Sequence, residues 1–236
     1  MLSFIVPAHN EECELAASLQ AIRRAADAAG HPYEIVVAND DSDDRTPEIA
    51  REFGARVIDV KLRQIGAVRN AGARIATGDV FFFVDADTHI APVHVTRALQ
   101  VLAAGYAGGS AKIALDAEVP FWARVFLRIF ALFYFGANLG VGAFMFMSRA
   151  NFEKVGGFDE QYFAGEEMYL TMELKKLGRF TLLADPITTS ARKVRMHSGT
   201  HVLRQWLGMM LGGKAALRNR DRLSLWYDGK REQRAN

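Results

Sequence analysis

The chain has one cysteine, Cys13, in 236 residues. A lone thiol forms no internal disulfide and builds no zinc centre from several thiolates, so a reducing compartment is the natural expectation. Glycine-rich nucleotide loops are missing too. Neither G-x-G-x-x-G nor G-x-x-x-x-G-K-[ST] occurs at a strand-to-helix turn, which weighs against a dehydrogenase and a P-loop enzyme. No internal repeat or low-complexity linker divides the sequence, so it reads as one domain over residues 1–236. A basic-then-apolar leader is also lacking, because Met1–Pro7 is a short strand-like run that passes directly into polar residues. The expected location is therefore cytoplasmic. Nor is there an unbroken membrane span: the longest uncharged stretch, Ile129–Ser148, is interrupted by Gly136, Asn138, Gly140 and Gly142. It is expected to split into a helix end, a glycine-rich loop and a strand at 143–147.

Net charge is also small, +2, but its distribution is uneven. Residues 1–59 carry 12 acids against 5 Lys/Arg, and residues 192–236 carry 11 Lys/Arg against 3 acids. No recognised nucleic-acid reader motif accompanies the basic end, and no nucleic-acid partner is expected. With 50% hydrophobic and 24% charged residues, the chain can bury the core of one large α/β domain. A β-α-β-α rhythm fills its first half. Strands are expected at 2–6, 34–38, 55–60 and 80–84, with helices at 12–29, from Thr46-Pro47, at 66–76 and at 92–104. Asn10 and Thr46 are the expected N-caps and Gly30 and Gly78 the stops. This order implies a doubly wound, mostly parallel sheet with helices on both faces. Further on, 107–115 and 143–147 read as strands and 121–135 as an aromatic-rich helix.

The most informative motif is Asp85-Ala86-Asp87, at the end of the apolar run Val80–Val84. Ligands of open α/β sheets bind beyond the carboxyl ends of the strands. Two side chains two apart in an extended segment point the same way, so both can address one hard cation such as Mg²⁺ or Mn²⁺. Taken alone, a D-x-D serves equally well to cap or turn the chain. The first two expected strands also end in polar clusters, Pro7-Ala8-His9-Asn10-Glu11-Glu12 and Asn39-Asp40-Asp41-Ser42-Asp43-Asp44, and a parallel sheet brings all three to one edge.

These motifs together resemble a family-2 nucleotide-sugar glycosyltransferase of the GT-A fold, over at least residues 2–185. IVPAHNEE resembles that family's first strand, and EIVVANDDSDDRTPEIA its strand ending in paired Asp. GAVRNAGARIATGDVFFFVDAD resembles the helix leading to the metal-binding D-x-D, and FEKVGGFDE with GEEMYL resembles the acceptor-side motif. The resemblance implies a donor-binding half at 1–110, an acceptor half at 111–190 and a basic amphipathic tail at 191–236. Pro7, Ala8, His9, Glu11, Asp40 and Asp85 are implied to meet a UDP- or GDP-type sugar, with Asp40 at the base. Asp87 is the leading Mn²⁺ or Mg²⁺ ligand, and Asp85 is its neighbour. Glu167 is the implied base for a hydroxyl acceptor and Glu166 the second choice; the family commonly has Glu-Asp there. Arg63 and Arg69 are the nearest cations to meet a diphosphate, or else lie on a solvated helix face. His197 is a candidate third metal ligand or phosphate contact. Asn39, Asp41 and His9 depart from the usual Asp, Gly and Tyr, and none removes essential chemistry.

Two readings of the aromatic helix stay open. Phe121, Trp122, Val125, Phe126, Ile129, Phe130 and Phe133 suit a core helix, or an interfacial helix with Arg124 and Arg128 at lipid headgroups. The basic tail after His201 invites the same expectation of peripheral attachment at the inner face of the cell membrane, with a lipid-linked acceptor. Two rival functions are a sugar nucleotidyltransferase, which should show a G-rich, Lys/Arg-containing first turn where PAHNEE stands, and a non-catalytic nucleotide-sugar binder of the same fold.

Overall fold

A computed structural model describes residues 1–116, 121–192 and 199–223. Strands β1 (Leu2–Ala8), β2 (Tyr33–Asp40), β3 (Arg56–Val60), β4 (Val80–Val84), β5 (Thr88–His89), β6 (Gly108–Leu115), β7 (Phe144–Ser148) and β8 (Phe180–Thr189) form an eight-stranded sheet. Between and after them lie α1 (Leu15–Ala29), α2 (Thr46–Glu52), α3 (Ile65–Ile75), α4 (Pro92–Ala103), α5 (Phe121–Gly136), α6 (Arg149–Lys154), α7 (Glu166–Leu177) and α8 (Gly199–Leu217). The strand order is β3-β2-β1-β4-β7-β6-β8-β5. β1 runs parallel to β2 and β4, β2 to β3, and β6 to β8, while β7 lies antiparallel between β4 and β6.

Successive side chains of a strand point to opposite faces, and the core divides accordingly. Phe4, Val6, Phe82, Val84, Phe144 and Phe146 pack on one face, where α1, α2 and α4 supply Leu15, Leu19, Ile22, Ala50, Val95 and Ala98. Ile5, Phe81, Phe83, Met145 and Met147 pack on the other, against Phe152 of α6 and Leu170 and Leu174 of α7. The expected mostly parallel sheet with helices on both faces is therefore what forms.

Two expected caps do something else. α1 starts at Leu15, after Glu14. Asn10 takes a left-handed conformation, φ 54°, and its side chain accepts the Asp43 amide at 2.9 Å. Thr46 already lies in α2, and its hydroxyl accepts the Glu11 amide at 2.7 Å. Both polar side chains join the β1 and β2 exits, an option that short polar residues have besides capping. Gly30 does end α1, at φ 68°. The 129–148 stretch splits as expected, with α5 ending at Gly136 and β7 starting at Phe144. Among the described residues, no helix is long and apolar enough to cross a membrane.

Candidate functional site

Parallel pairing puts the carboxyl ends of β1, β2 and β4 at one sheet edge, and β8, parallel to β6, exits there as well. On the β1–β2 side, Pro7 and Ala8 are buried in the strand, paired with Ala38 and Asn39. Asp40 is buried, and its carboxylate accepts the amides of Leu62 at 2.7 Å and Arg63 at 2.9 Å. It thus fixes the loop carrying Arg63. The Arg63 guanidinium meets the His9 ring and pairs with Asp41 at 3.0 Å. This places Arg63 at the outer ends of β1 and β2, in the loop before α3, which corrects its reading as a solvated helix cation. Asp41 has φ 57°, the left-handed region that explains a usual Gly at this position and that Asp tolerates.

Asp85 and Asp87 do not share the face of an extended segment. β4 ends at Val84, and the Thr88 amide closes a turn onto the Asp85 carbonyl at 3.0 Å. The turn sends the carboxylates to different partners. Asp85 meets Arg69 at 2.8 Å, whereas Asp87 meets Arg192 at 3.1 Å and the Thr189 hydroxyl at 3.4 Å. Arg192 also holds Glu11 with both terminal guanidinium nitrogens, Nη1 and Nη2, at 2.5 and 2.6 Å. Burial opposes the Arg192 charge, but the hydrogen bonds and charge of Glu11, then Asp87, raise its pKa. Sequence reasoning did not single out Arg192, because it follows β8, a strand that Asp185-Pro186 disguises.

Arg69 stands between the two sides. Every α3 residue from Gly66 to Ala73 is buried, and Arg69 is 1% exposed. It is thus not a solvated helix cation. Its guanidinium binds Asp85, Glu166 at 2.5 Å and the Gly142 carbonyl at 3.2 Å. Burial works against its charge, but Asp85 and then Glu166 outweigh it and raise the pKa. A Cβ on Gly142 would lie 2.7 Å from an Arg69 nitrogen. Gly142→Ala should displace that side chain and lower stability by about 1–3 kcal/mol, read from urea unfolding; a change within experimental error would show that the packing yields.

α7 begins after Gly165, whose φ of 74° suits glycine, and presents both acids in its first turn. Glu166 is buried against Arg69. Glu167 is partly exposed yet set deep among protein atoms, and burial, then the neighbouring Glu166 charge, push its carboxyl up to about 8. That proton affinity suits a group that takes up a proton near neutral pH. No three His, Cys, Asp or Glu among the described residues gather into a metal-holding group. Hard carboxylate oxygens at the Asp85–Asp87 turn nevertheless fit Mg²⁺ or Mn²⁺, which commonly bind through one or two carboxylates completed by phosphate and water. His197 lies outside the described residues.

The family model for glycosyl transferase family 2 matches residues 3–156, well over half of the chain. The chain belongs to this family. Over 113 residues this family-2 chain is 34% identical to an undecaprenyl-phosphate 4-deoxy-4-formamido-L-arabinose transferase of Edwardsiella ictaluri, covering 44% of the chain and 34% of the relative. It is 34% identical over 105 residues to a 4,4'-diaponeurosporenoate glycosyltransferase of Staphylococcus haemolyticus, covering 42% and 27%. The chain thus matches about a third of the length of these relatives. Among solved structures, the mannosyltransferase PcManGT from Pyrobaculum calidifontis, in complex with GDP-Man and Mn²⁺, superposes with a TM-score of 0.68 at 19% identity, over 92% of this chain and 62% of that one. TarS 1-349 of S. aureus in complex with UDP gives 0.61 at 18%, over 90% and 65%. These likenesses show the GT-A fold.

Proposed function

We propose that the chain transfers a sugar, with inversion, from a nucleoside-diphosphate sugar of UDP or GDP type to a hydroxyl on a lipid-linked or membrane-proximal acceptor. The observation that carries this reading is the division of acids at one sheet edge. Asp87 lies with Arg192 and Glu11, whereas Glu167 sits in the first turn of α7 next to Glu166, whose carboxylate shares Arg69 with Asp85. An inverting displacement needs its base and its leaving group on opposite faces of the sugar, and this arrangement supplies two separate stations. The relatives' names, one an undecaprenyl-phosphate transferase, support a lipid-linked acceptor.

Glu167 takes the proton of the acceptor hydroxyl as its oxygen bonds to the anomeric carbon and the bond to the diphosphate breaks. Glu166 is not the base in this reading, because Arg69 occupies its carboxylate. Asp87 is the ligand for Mn²⁺ or Mg²⁺, which when bound offsets charge growing on the departing diphosphate. His9 and Arg63 form the surface at the outer ends of β1 and β2 on which a base can lie, and Asp40 holds that surface in place.

A thermal-shift panel of UDP-, GDP- and dTDP-sugars with and without Mn²⁺ tests the donor half, since a ligand of the native state raises apparent stability. One donor class should raise Tm, and Mn²⁺ should enlarge the rise. Asp87→Asn should abolish the Mn²⁺-dependent part and keep a weaker metal-free shift. If no donor shifts the wild type, the reading fails.

A further inference from the structure

The aromatic helix leaves an apolar stripe that none of the described residues covers. On α5, Phe121 is 77% exposed, Ile129 54%, Leu132 71% and Phe133 73%, with Val125 and Trp122 also exposed. At about 3.6 residues per turn these positions recur on one face, with Arg128 and then Arg124 along one edge of it. Soluble domains rarely show large apolar side chains so contiguously unless something docks there.

Its surroundings narrow the choice of occupant. α5 has 16 residues, too short to span a bilayer, and Arg124 and Arg128 in its first half are its only charges. A twofold pairing of two copies through this face would bring Arg128 against an α5 that carries no acid of its own to pair with it. Aromatics with flanking arginines match an anionic headgroup layer, into which such a helix sinks about 5–10 Å.

The opposite side of the same helix is tied to the base. Tyr134, the residue after Phe133, donates its hydroxyl to the Gly140 carbonyl at 2.8 Å. The Gly140 amide donates to the Thr171 hydroxyl at 3.1 Å, which donates to the Glu167 carbonyl at 2.8 Å. Lys175 of α7 and the side chain of Asn138 add bonds to the same loop, the former to the Ala137 carbonyl at 2.8 Å and the latter to the Phe180 carbonyl at 2.7 Å. A surface bound to the stripe is therefore held in register with Glu167.

We propose that this stripe docks on an anionic lipid bilayer and thereby sets the Glu167 side of the site at the membrane surface. The docking stands by itself, and its service to the acceptor rests on the transfer reading above.

The test is flotation of the full chain with phosphatidylglycerol vesicles and, separately, phosphatidylcholine vesicles, alongside light scattering and donor thermal shifts. The wild type should float with phosphatidylglycerol, and weakly with phosphatidylcholine. Leu132→Ser with Phe133→Ser should lower vesicle affinity by roughly a hundred-fold or more, and Arg124→Gln with Arg128→Gln by roughly thirty-fold. Both pairs lie on exposed positions, so circular dichroism and the donor shift should stay as in wild type. Absence of flotation, or flotation indifferent to the stripe variants, overturns the inference. So does a wild-type dimer that the Leu132 and Phe133 changes split, which would make a second copy the occupant. Flotation lost while the donor shift persists removes the docking alone, whereas flotation kept with no donor shift removes the transfer reading and leaves the docking.

Discussion

Glu167→Gln should lower kcat by ~10²- to 10⁴-fold, the usual contribution of a positioned general base, and leave the donor's thermal shift intact. Its pH behaviour gives a second readout. Because the Glu167 carboxyl is pushed up to about 8 by burial and by Glu166, the wild-type kcat/KM should climb as pH rises toward 8 and level off above it. The variant should lose that limb. Stability runs the other way: a carboxyl whose folded value exceeds its ordinary 4.5 binds its proton more tightly in the folded state, so wild-type stability falls as pH rises from about 4.5 to about 8. Glutamine removes this decline, and its Tm advantage over wild type should widen across that window. A variant with full turnover, or one whose Tm difference is flat with pH, would overturn the role given to Glu167.

Arg69→Met has the largest expected effect on stability. It keeps much of the side-chain volume but strands Asp85 and Glu166 beside each other without a counter-charge. Breaking a buried ion pair from one side typically costs about 3–5 kcal/mol, which urea unfolding resolves easily. Adding Glu166→Gln should recover part of the loss, since one stranded charge is then gone. If Arg69→Met unfolds within about 1 kcal/mol of wild type, or Glu166→Gln brings no recovery, the cation is not what holds these two acids together.

The legible parts of the sequence were those that local patterns control. Val80–Val84 is a continuous apolar block between turns, and the strand observed has the same bounds. The exits of β1 and β2 do converge with the turn after β4. What failed was decided by distant partners. The Asp85–Asp87 segment bends because Thr88 and Thr189 pair across β5 and β8, strands that short alternation and Asp185-Pro186 concealed. Helical periodicity could not show Arg69 as buried, since α3 is covered on all sides. The run of small residues Gly66, Ala67, Ala71, Gly72 and Ala73 was the available signal that no face would be left for a solvated arginine. Arg192 had no local signature. Only the acid excess early in the chain and the basic excess late pointed to pairing between the two ends.

The Glu11–Arg192 pair joins positions 181 residues apart. It follows that the order of synthesis matters for this edge of the protein. A nascent chain that has already completed β1, β2 and β4 still carries Glu11 and Asp87 without their cation, and these acids are matched only once β8 has emerged and paired. Contacts of such long sequence separation form late in folding. The core can therefore condense early, while the Glu11–Arg192–Asp87 cluster proposed to serve the donor is completed only with β8.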